Sequence, residues 1–359
     1  MINIESIKKE WIEDIAKKKK ADKILIEKVN RALMLLEGLS ISGLNFIFKG
    51  GTALMLLLGT TKRLSIDIDI IVPDKNSDIA SCLDEFIIEK GFTRYEKQER
   101  PVDSDIEKEH YKLFFISALN NKESHILLDV LKENIHYKTL VKTPVKSDFL
   151  KETGEPVQVT TPDFNNILGD KLTAFAPKTT GIPYYKKNKE MGMEIIKQMY
   201  DIGCLFDKID DIEMVDEVFK AFALIELKYR GNENTILDVQ DDIFYTSLAI
   251  CLRKNIKDSN FDVLNRGITS VKSYIFSDSF HLDKAFVHAA KAAYLATLIK
   301  YHVNEIIKYD SQIDKKSWEI KFPAGHPLND MNRLNKLKKS NVEAFHYWYQ
   351  TYKIISQEK

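Results

Sequence analysis

The first 160 residues alternate between two hydrophobic spacings. Apolar residues recur every three to four positions in some stretches, as amphipathic helices require, and every second position in others, as half-buried strands require. These spacings predict two helices within 4–38, further helices over 52–58 and 77–90, strands over 46–48, 66–72, 92–97, 110–118 and 124–131, and extended segments over 137–146 and 156–160. The pattern therefore favours a sheet with helices packed beside it.

After Pro162 the hydrophobic pattern becomes almost entirely helical. Helices are predicted over 163–176, 189–206, 211–228, 236–254, 260–276, 282–306 and 341–356. The fold class is therefore α+β, with a mixed sheet and flanking helices followed by a C-terminal helical bundle. A chain of 359 residues exceeds the usual size of one hydrophobic core, so we expect two domains, 1–205 and 206–359.

Composition excludes several classes of protein without indicating a function. Hydrophobic residues make up 44% of the chain and charged residues 30%, as in ordinary globular proteins. No apolar run is long enough to cross a bilayer, and the N-terminus does not resemble a signal peptide, so we expect a cytoplasmic protein without a membrane partner. The three cysteines lack zinc-site spacing.

Asp67 and Asp69 are the first candidates for chemistry. Residues two apart in a strand point to the same face, so the two carboxylates should project together while the flanking isoleucines enter the core. Such a pair repels itself unless a cation lies between its members, and Mg²⁺ is the expected cation. Asp129 is a lone acid in the apolar strand 127–131 and could complete a metal site. Taken alone, Asp-x-Asp also fits a solvated edge strand.

A glycine pair precedes these carboxylates. Gly50 and Gly51 lie between a predicted strand and a predicted helix, where backbone N–H groups can approach an anion closely. Thr52 adds a hydroxyl donor, and Lys49 and Arg63 add positive charge nearby. The segment therefore predicts a cradle for a triphosphate beside a metal-binding carboxylate pair.

These motifs together resemble the DNA polymerase β-like nucleotidyltransferase superfamily, and more closely the AbiEii/AbiGii toxin family, to which the MenT toxins also belong. The Gly-Gly-Ser/Thr motif of the family is similar to Gly50-Gly51-Thr52, and its Arg-x-Ser-x-Asp-Ile-Asp motif is similar to the segment from Arg63 through Ser65 to Asp69. The resemblance covers roughly residues 30–210.

Two further family motifs correspond to helical segments. A Lys-Leu-x-Ala motif corresponds to Lys171, and a Lys-Asp-x-x-Asp-like motif corresponds to 197–201, ending at Asp201. This sequence departs from the pattern at Gln198, where the family has an acid, and at 177–189, where the family has a short arginine-bearing link.

The resemblance implies a two-metal reaction on a nucleoside triphosphate. Asp67, Asp69 and Asp129 would bind Mg²⁺, and Asp129 would also help to remove the proton of an acceptor hydroxyl. Lys171 would contact the triphosphate, and Asp201 would orient Lys171 or the nucleotide. The hydroxyl would attack the α-phosphate and release pyrophosphate.

The resemblance also suggests partners. The chain would be the toxin of a toxin–antitoxin or phage-defence system, with a cognate antitoxin encoded nearby whose direct contact is not implied. The acceptor would be tRNA or another RNA, for which the local support is the basic segments 17–20, 186–189 and 333–339.

Two alternatives remain open at this point. The same fold could transfer a nucleotide to a small molecule or to a protein hydroxyl, because fold does not determine the acceptor. It could also serve a non-catalytic, nucleotide-binding regulatory protein, although the presence of all three carboxylates argues against that.

Overall fold

A computed structural model describes residues 1–59, 62–98, 107–231, 233–253 and 260–357. The chain packs as two compact units. The N-terminal unit comprises 1–163 with 273–279, and the helical unit comprises 164–272 with 280–359. This division differs from the predicted boundary after residue 205, because the first two helices beyond residue 163 pack against later helices of the helical unit.

The N-terminal unit contains a seven-stranded mixed sheet among its described residues, with strand order β3-β4-β5-β2-β1-β7-β6. In chain order the strands are β1 (Ile47–Lys49), β2 (Ile68–Ile71), β3 (Arg94–Lys97), β4 (Glu107–Ile116), β5 (Glu123–Lys132), β6 (Leu140–Pro144) and β7 (Gln158–Pro162). Strand β2 pairs with β5, and β1 with β7, in parallel, while the other neighbours are antiparallel. The expected mixed sheet is confirmed.

Four helices of the N-terminal unit accompany this sheet: α1 (Lys9–Lys19), α2 (Lys23–Ile41), α3 (Gly50–Leu58) and α4 (Ile79–Phe86). Helix α2 begins where the Asp22 carboxylate accepts backbone N–H bonds from Ile24 and Leu25, which satisfies donors of its first turn. Apolar residues of the helices share one core with the inward face of the sheet. The sheet is therefore held from one side, and its polar residues face the other.

The helical unit is dominated by helices, in agreement with the sequence pattern. They are α5 (Phe164–Ala174), α6 (Gly192–Phe206), α7 (Ile212–Arg230), α8 (Ile236–Leu252), α9 (Phe261–Ser270), α10 (Leu282–Lys300), α11 (Leu337–Ser340) and α12 (Val342–Gln357). The aromatic residues of α12 pack inward, with Phe345 and Trp348 fully buried. No helix in the described ranges is both long and apolar enough to cross a bilayer.

Two local details of the helical unit differ from the sequence pattern. Helix α10 ends at Lys300 rather than at 306, because His302 adopts a left-handed conformation with φ of 53°. Residues predicted as the start of a helix at 189 instead form a short hairpin of β8 (Tyr185–Lys186) and β9 (Lys189–Glu190). Its turn residues Lys187 and Asn188 both have positive φ, as two-residue hairpin turns require.

A histidine inside the helical unit should make stability pH-dependent. Burial, with the nearby Lys291 charge, lowers the pKa of His288 from 6.5 to about 4. The unfolded chain takes up this proton near 6.5, so between these values the unfolded state binds more protons. Below pH 6.5 the free energy of unfolding should therefore decrease as the pH is lowered, by up to about 1.4 kcal/mol per pH unit, and His288 should contribute no slope above 6.5.

Urea unfolding at several pH values measures this slope. The variant His288→Phe should flatten it, because its ring can still stack beside Tyr200 without titrating. The variant His281→Gln changes an exposed histidine and should leave the slope intact. Equal slopes in wild type and His288→Phe would contradict the assignment.

Candidate active site

A row of polar residues crosses four neighbouring strands at one level of the sheet. Lys49 on β1 pairs with Asp69 on β2, Asp69 pairs with Asp129 on β5, and Asp129 pairs with His110 on β4. Residues in register on adjacent strands lie on the same face, about 4.8 Å apart across the strands. We call these four residues the polar row. It places two of the predicted metal-binding carboxylates side by side.

The opposite face of the same strands holds the polar row in place. Ile68 and Ile70 on β2, with Leu128 and Val130 on β5, are at most 1% exposed and enter the core of the N-terminal unit. Slippage of either strand by one residue would bring carboxylates into that core and expose the aliphatic side chains. The hydrophobic pattern thus fixes which face carries Asp69 and Asp129.

Asp67 lies just before β2 rather than within it, so the prediction of a strand from residue 66 was wrong at this end. Its side chain is exposed, whereas that of Asp69 is half-buried. The Thr52 hydroxyl donates to the Asp67 carbonyl oxygen over 2.6 Å. This bond ties the approach to β2 to the first turn of α3, so Thr52 positions the backbone of the carboxylate segment.

The glycine turn lies directly against the Asp69 carboxylate. Gly50 has φ of 80°, and a Cβ atom there would lie 2.1 Å from Oδ2 of Asp69. A Cβ on Gly51 would lie 2.7 Å from the Arg63 guanidinium and from the Ser65 hydroxyl. Only glycine fits at either position without displacing these groups. The structure therefore brings together Gly50, Gly51, Arg63, Ser65 and Asp69 at the N-terminus of α3.

Arg63 is fixed by a segment that returns from late in the chain. The backbone of Leu64 donates to the Tyr274 carbonyl oxygen over 2.8 Å, and Arg63 forms a bridge with Ile275. Arg63 itself is only 5% exposed, and its guanidinium lies against Gly51. A guanidinium, a hydroxyl and helix N-terminal N–H groups at one place favour an anion.

His110 belongs to this site, although sequence reasoning did not select it. Its Nδ1 lies 2.5 Å from Oδ1 of Asp129 and donates to that carboxylate. Such a bond restrains the orientation of a carboxylate. His110 reaches Asp129 because of the register of β4 with β5, and this register cannot be read from sequence spacing.

The donor set fits a hard divalent cation that also binds phosphate. Asp69 and Asp129 offer carboxylate oxygens from adjacent strands, beside a glycine cradle that a side chain would fill. Among the described residues, no group of three or more His, Cys, Asp or Glu residues lies close enough to hold a metal ion. The predicted set of Asp67, Asp69 and Asp129 is therefore not preassembled in this structure.

Lys171 and Asp201 form a buried ion pair within the helical unit. The Lys171 ammonium on α5 lies 3.0 Å from Asp201 Oδ2 on α6 and donates to Gln198 Oε1 over 2.9 Å. Their side chains are 10% and 2% exposed. Gln198, which departs from the family motif, therefore keeps a contact with the motif lysine. The expected contact between Asp201 and Lys171 is present, while their contribution to catalysis stays a prediction.

Removing the charge of Asp201 should destabilise the helical unit. In Asp201→Asn the buried ammonium loses its counter-charge, so we expect a loss of about 2–3 kcal/mol in the free energy of unfolding. Urea unfolding measures it. The double variant Lys171→Met/Asp201→Leu removes both charges and should recover most of the loss. Wild-type stability in Asp201→Asn would show that the pair contributes nothing.

The sequence profile of a family described as nucleotidyl transferase AbiEii toxin, type IV toxin–antitoxin system, matches residues 34–263. That span is more than half of the chain and contains the polar row and the glycine turn. The chain belongs to the AbiEii toxin family. No curated protein matches it. As a member of the AbiEii family, the chain is a toxin-type nucleotidyltransferase, and the resemblance seen in its motifs is confirmed.

Solved structures similar to this AbiEii protein share little sequence with it. JHP933 from Helicobacter pylori has a TM-score of 0.42 and 14% identity, over 79% of this chain and 94% of that one. A putative nucleotidyltransferase from H. pylori has a TM-score of 0.41 and 13% identity, over 77% and 94%. MenT4, a nucleotidyltransferase toxin from Mycobacterium tuberculosis, has a TM-score of 0.42 and 13% identity, over 77% and 84%.

Proposed function

We propose that this AbiEii protein uses a divalent cation, Mg²⁺, to transfer a nucleoside monophosphate from a nucleoside triphosphate to an acceptor hydroxyl, with release of pyrophosphate. The observation that carries the proposal is the polar row. Asp69 and Asp129 lie in register on adjacent parallel strands, and Asp69 touches the glycine at the start of α3. Carboxylates placed beside an anion cradle are the arrangement that a metal–triphosphate needs.

The residues around the glycine turn would bind the phosphates. Backbone N–H groups of Gly50 and Gly51 at the helix N-terminus would face the phosphates, and the Arg63 guanidinium and Ser65 hydroxyl lie against Gly51. These donors would neutralise the charge of the phosphates, and the glycines carry no side chain that would block the approach of the triphosphate. Thr52 keeps the adjoining backbone in position through its bond to Asp67.

The carboxylates would hold the cation and direct the acceptor. Asp67, Asp69 and Asp129 would provide its protein ligands, with Asp67 recruited from its exposed position. Bound Mg²⁺ supplies charge neutralisation on the triphosphate and on the leaving pyrophosphate. His110 would keep the Asp129 carboxylate oriented so that its second oxygen can accept the proton of an acceptor hydroxyl. By analogy with the family motif, Lys171 would contact the triphosphate, and Asp201 would orient Lys171 or the nucleotide.

An RNA acceptor, with tRNA as the first candidate, is supported by the hairpin of β8 and β9. Tyr185, Lys186, Lys187 and Lys189 are all exposed there. Glu190 on β9 accepts two bonds from the Arg266 guanidinium, which anchors the hairpin to α9. Exposed lysines beside an aromatic ring suit a single-stranded nucleic acid. The type IV family also implies an antitoxin partner encoded nearby.

Calorimetry with a non-hydrolysable nucleoside triphosphate tests the metal site. We expect binding that requires Mg²⁺ and that disappears in the variant Asp67→Ala/Asp69→Ala. Unchanged binding in that variant would overturn the site assignment. Turnover of the natural triphosphate then separates an enzyme from a nucleotide-binding regulator, and the labelled product identifies RNA, protein or a small molecule as acceptor.

A further inference from the structure

A cavity of about 350 Å³ lies within the helical unit, apart from the residues of the proposed active site. Its walls come from α8, the end of α10, the loop 326–328 and Ile355 of α12. The family profile ends at residue 263, so three of these four walls lie beyond it. The volume is at the lower end for ligand pockets, which suits a molecule of about nucleoside size.

Four of the residues that line this cavity carry aromatic rings. Phe244 and Tyr245 on α8 face it together with Tyr301 and His326. Phe244 is 7% exposed, whereas Tyr245 is 47% exposed. Rings of this kind provide faces on which a planar heteroaromatic molecule stacks.

Gln240 is a lining residue whose side chain carries a buried acceptor without a partner. The residue lines the cavity and is 3% exposed. Its Oε1 has no hydrogen-bond partner among the described residues. A buried acceptor without a donor is unfavourable, so a ligand that brings an N–H group there would be stabilised relative to the empty protein. An amide offers both an acceptor and donors, as the edge of a nucleobase requires.

A charged pair completes the lining. The Lys300 ammonium donates to the Asp241 carboxylate over 2.5 Å, and the two side chains are 27% and 44% exposed. The pair offers a further acceptor for N–H groups and a cation at the exposed side of the cavity. Stacking faces, an amide and a carboxylate together match a base better than an aliphatic or purely anionic ligand.

We propose that this cavity binds a nucleobase, either of a free nucleoside or of a nucleotide in single-stranded RNA. The base stacks on Tyr245 and donates an N–H group to Gln240. The site is separate from the proposed transfer reaction and needs no metal. It gives the helical unit a ligand of its own.

Calorimetry on the full chain in the presence of EDTA tests this proposal. The probes are adenosine, guanosine, cytidine, uridine and a short single-stranded oligoribonucleotide. We expect at least one probe to bind, and the comparison of nucleosides with the oligoribonucleotide identifies the source of the base. In Gln240→Leu the affinity should fall at least about tenfold, while the midpoint of thermal unfolding stays the same or rises, because an unsatisfied acceptor is removed.

An exposed residue on the same helix supplies the control. Tyr245→Ala should weaken binding, whereas Leu237→Ala removes an apolar side chain of α8 that is 56% exposed and does not line the cavity, and it should leave binding unchanged. Asp69→Asn should bind as wild type does. Three results would overturn the proposal: no binding by any probe, wild-type affinity in both Gln240→Leu and Tyr245→Ala, or loss of binding in Asp69→Asn. Tyr245→Ala decides the outcome if Gln240→Leu does not fold.

Discussion

An Asp69→Asn variant is expected to lose about 10³-fold or more of its nucleotidyl transfer while remaining folded. Asp69 contacts the turn at Gly50 and lies in register with Asp129. An amide at this position keeps the shape but not the charge that would hold a metal–triphosphate, and loss of one group that stabilises transition-state charge costs this order of rate. Initial rates with a labelled nucleoside triphosphate measure the effect.

The stability of this variant separates a functional loss from misfolding. Asp69 and Asp129 repel each other in the absence of a cation, so Asp69→Asn should melt at the wild-type temperature or higher without metal, and should lose the rise that Mg²⁺ and nucleotide give to wild type. Asp14→Asn is the matched control, because Asp14 is exposed and forms an ordinary helix-surface pair with Lys18. Wild-type rates in Asp69→Asn would refute the role of this carboxylate.

Among substitutions that add a single methyl group in the N-terminal unit, Gly50→Ala is expected to be the most damaging. The left-handed conformation at φ of 80° costs alanine roughly 1–2 kcal/mol, and its Cβ would lie 2.1 Å from Oδ2 of Asp69. We expect a loss of about 2–4 kcal/mol in the free energy of unfolding. Transfer should fall by about 100-fold, because Asp69 or the turn must move.

Gly43→Ala isolates the contact with Asp69 from the backbone effect. Gly43 has φ of 79°, almost the same as Gly50, and a Cβ there would meet nothing within 4 Å. This variant should lose only about 1–2 kcal/mol and should keep its transfer rate. Chemical unfolding and initial rates for the two variants together provide the comparison. Equal losses in both would show that Asp69 does not constrain the turn.

Much of the site could be predicted because its signals are local in sequence. The alternation of isoleucine and aspartate predicted that Asp69 lies on the face opposite the buried isoleucines, and the glycines at 50 and 51 predicted the turn before α3. The lone acid Asp129 in an apolar strand predicted that its strand lies beside the strand of Asp69, and β2 does pair with β5. Local periodicity and turn chemistry decided these features, so the sequence alone was sufficient.

Other features depend on pairing between distant segments. His110 reaches Asp129 only because β4 and β5 align in that register, and Gln198 reaches Lys171 because α5 packs against α6. Burial of the Lys171 and Asp201 pair was also unexpected, since such side chains are exposed by default. The first segment of the N-terminal unit ends at Asp163, earlier than predicted, because the helices that follow pack within the helical unit. Hydrophobic periodicity predicts a helix but does not specify which unit the helix packs against.

Transfer of label from α-³²P-labelled nucleoside triphosphates to RNA tests the central claim most directly. Total tRNA and total RNA are incubated with each of the four triphosphates and Mg²⁺, using wild type, the Asp67→Asn/Asp69→Asn variant and the Asp14→Asn control. We predict label on RNA with at least one triphosphate for wild type and Asp14→Asn, and none for the double variant. Label transferred equally by the double variant, or no label on RNA from wild type with any of the four triphosphates, would contradict it.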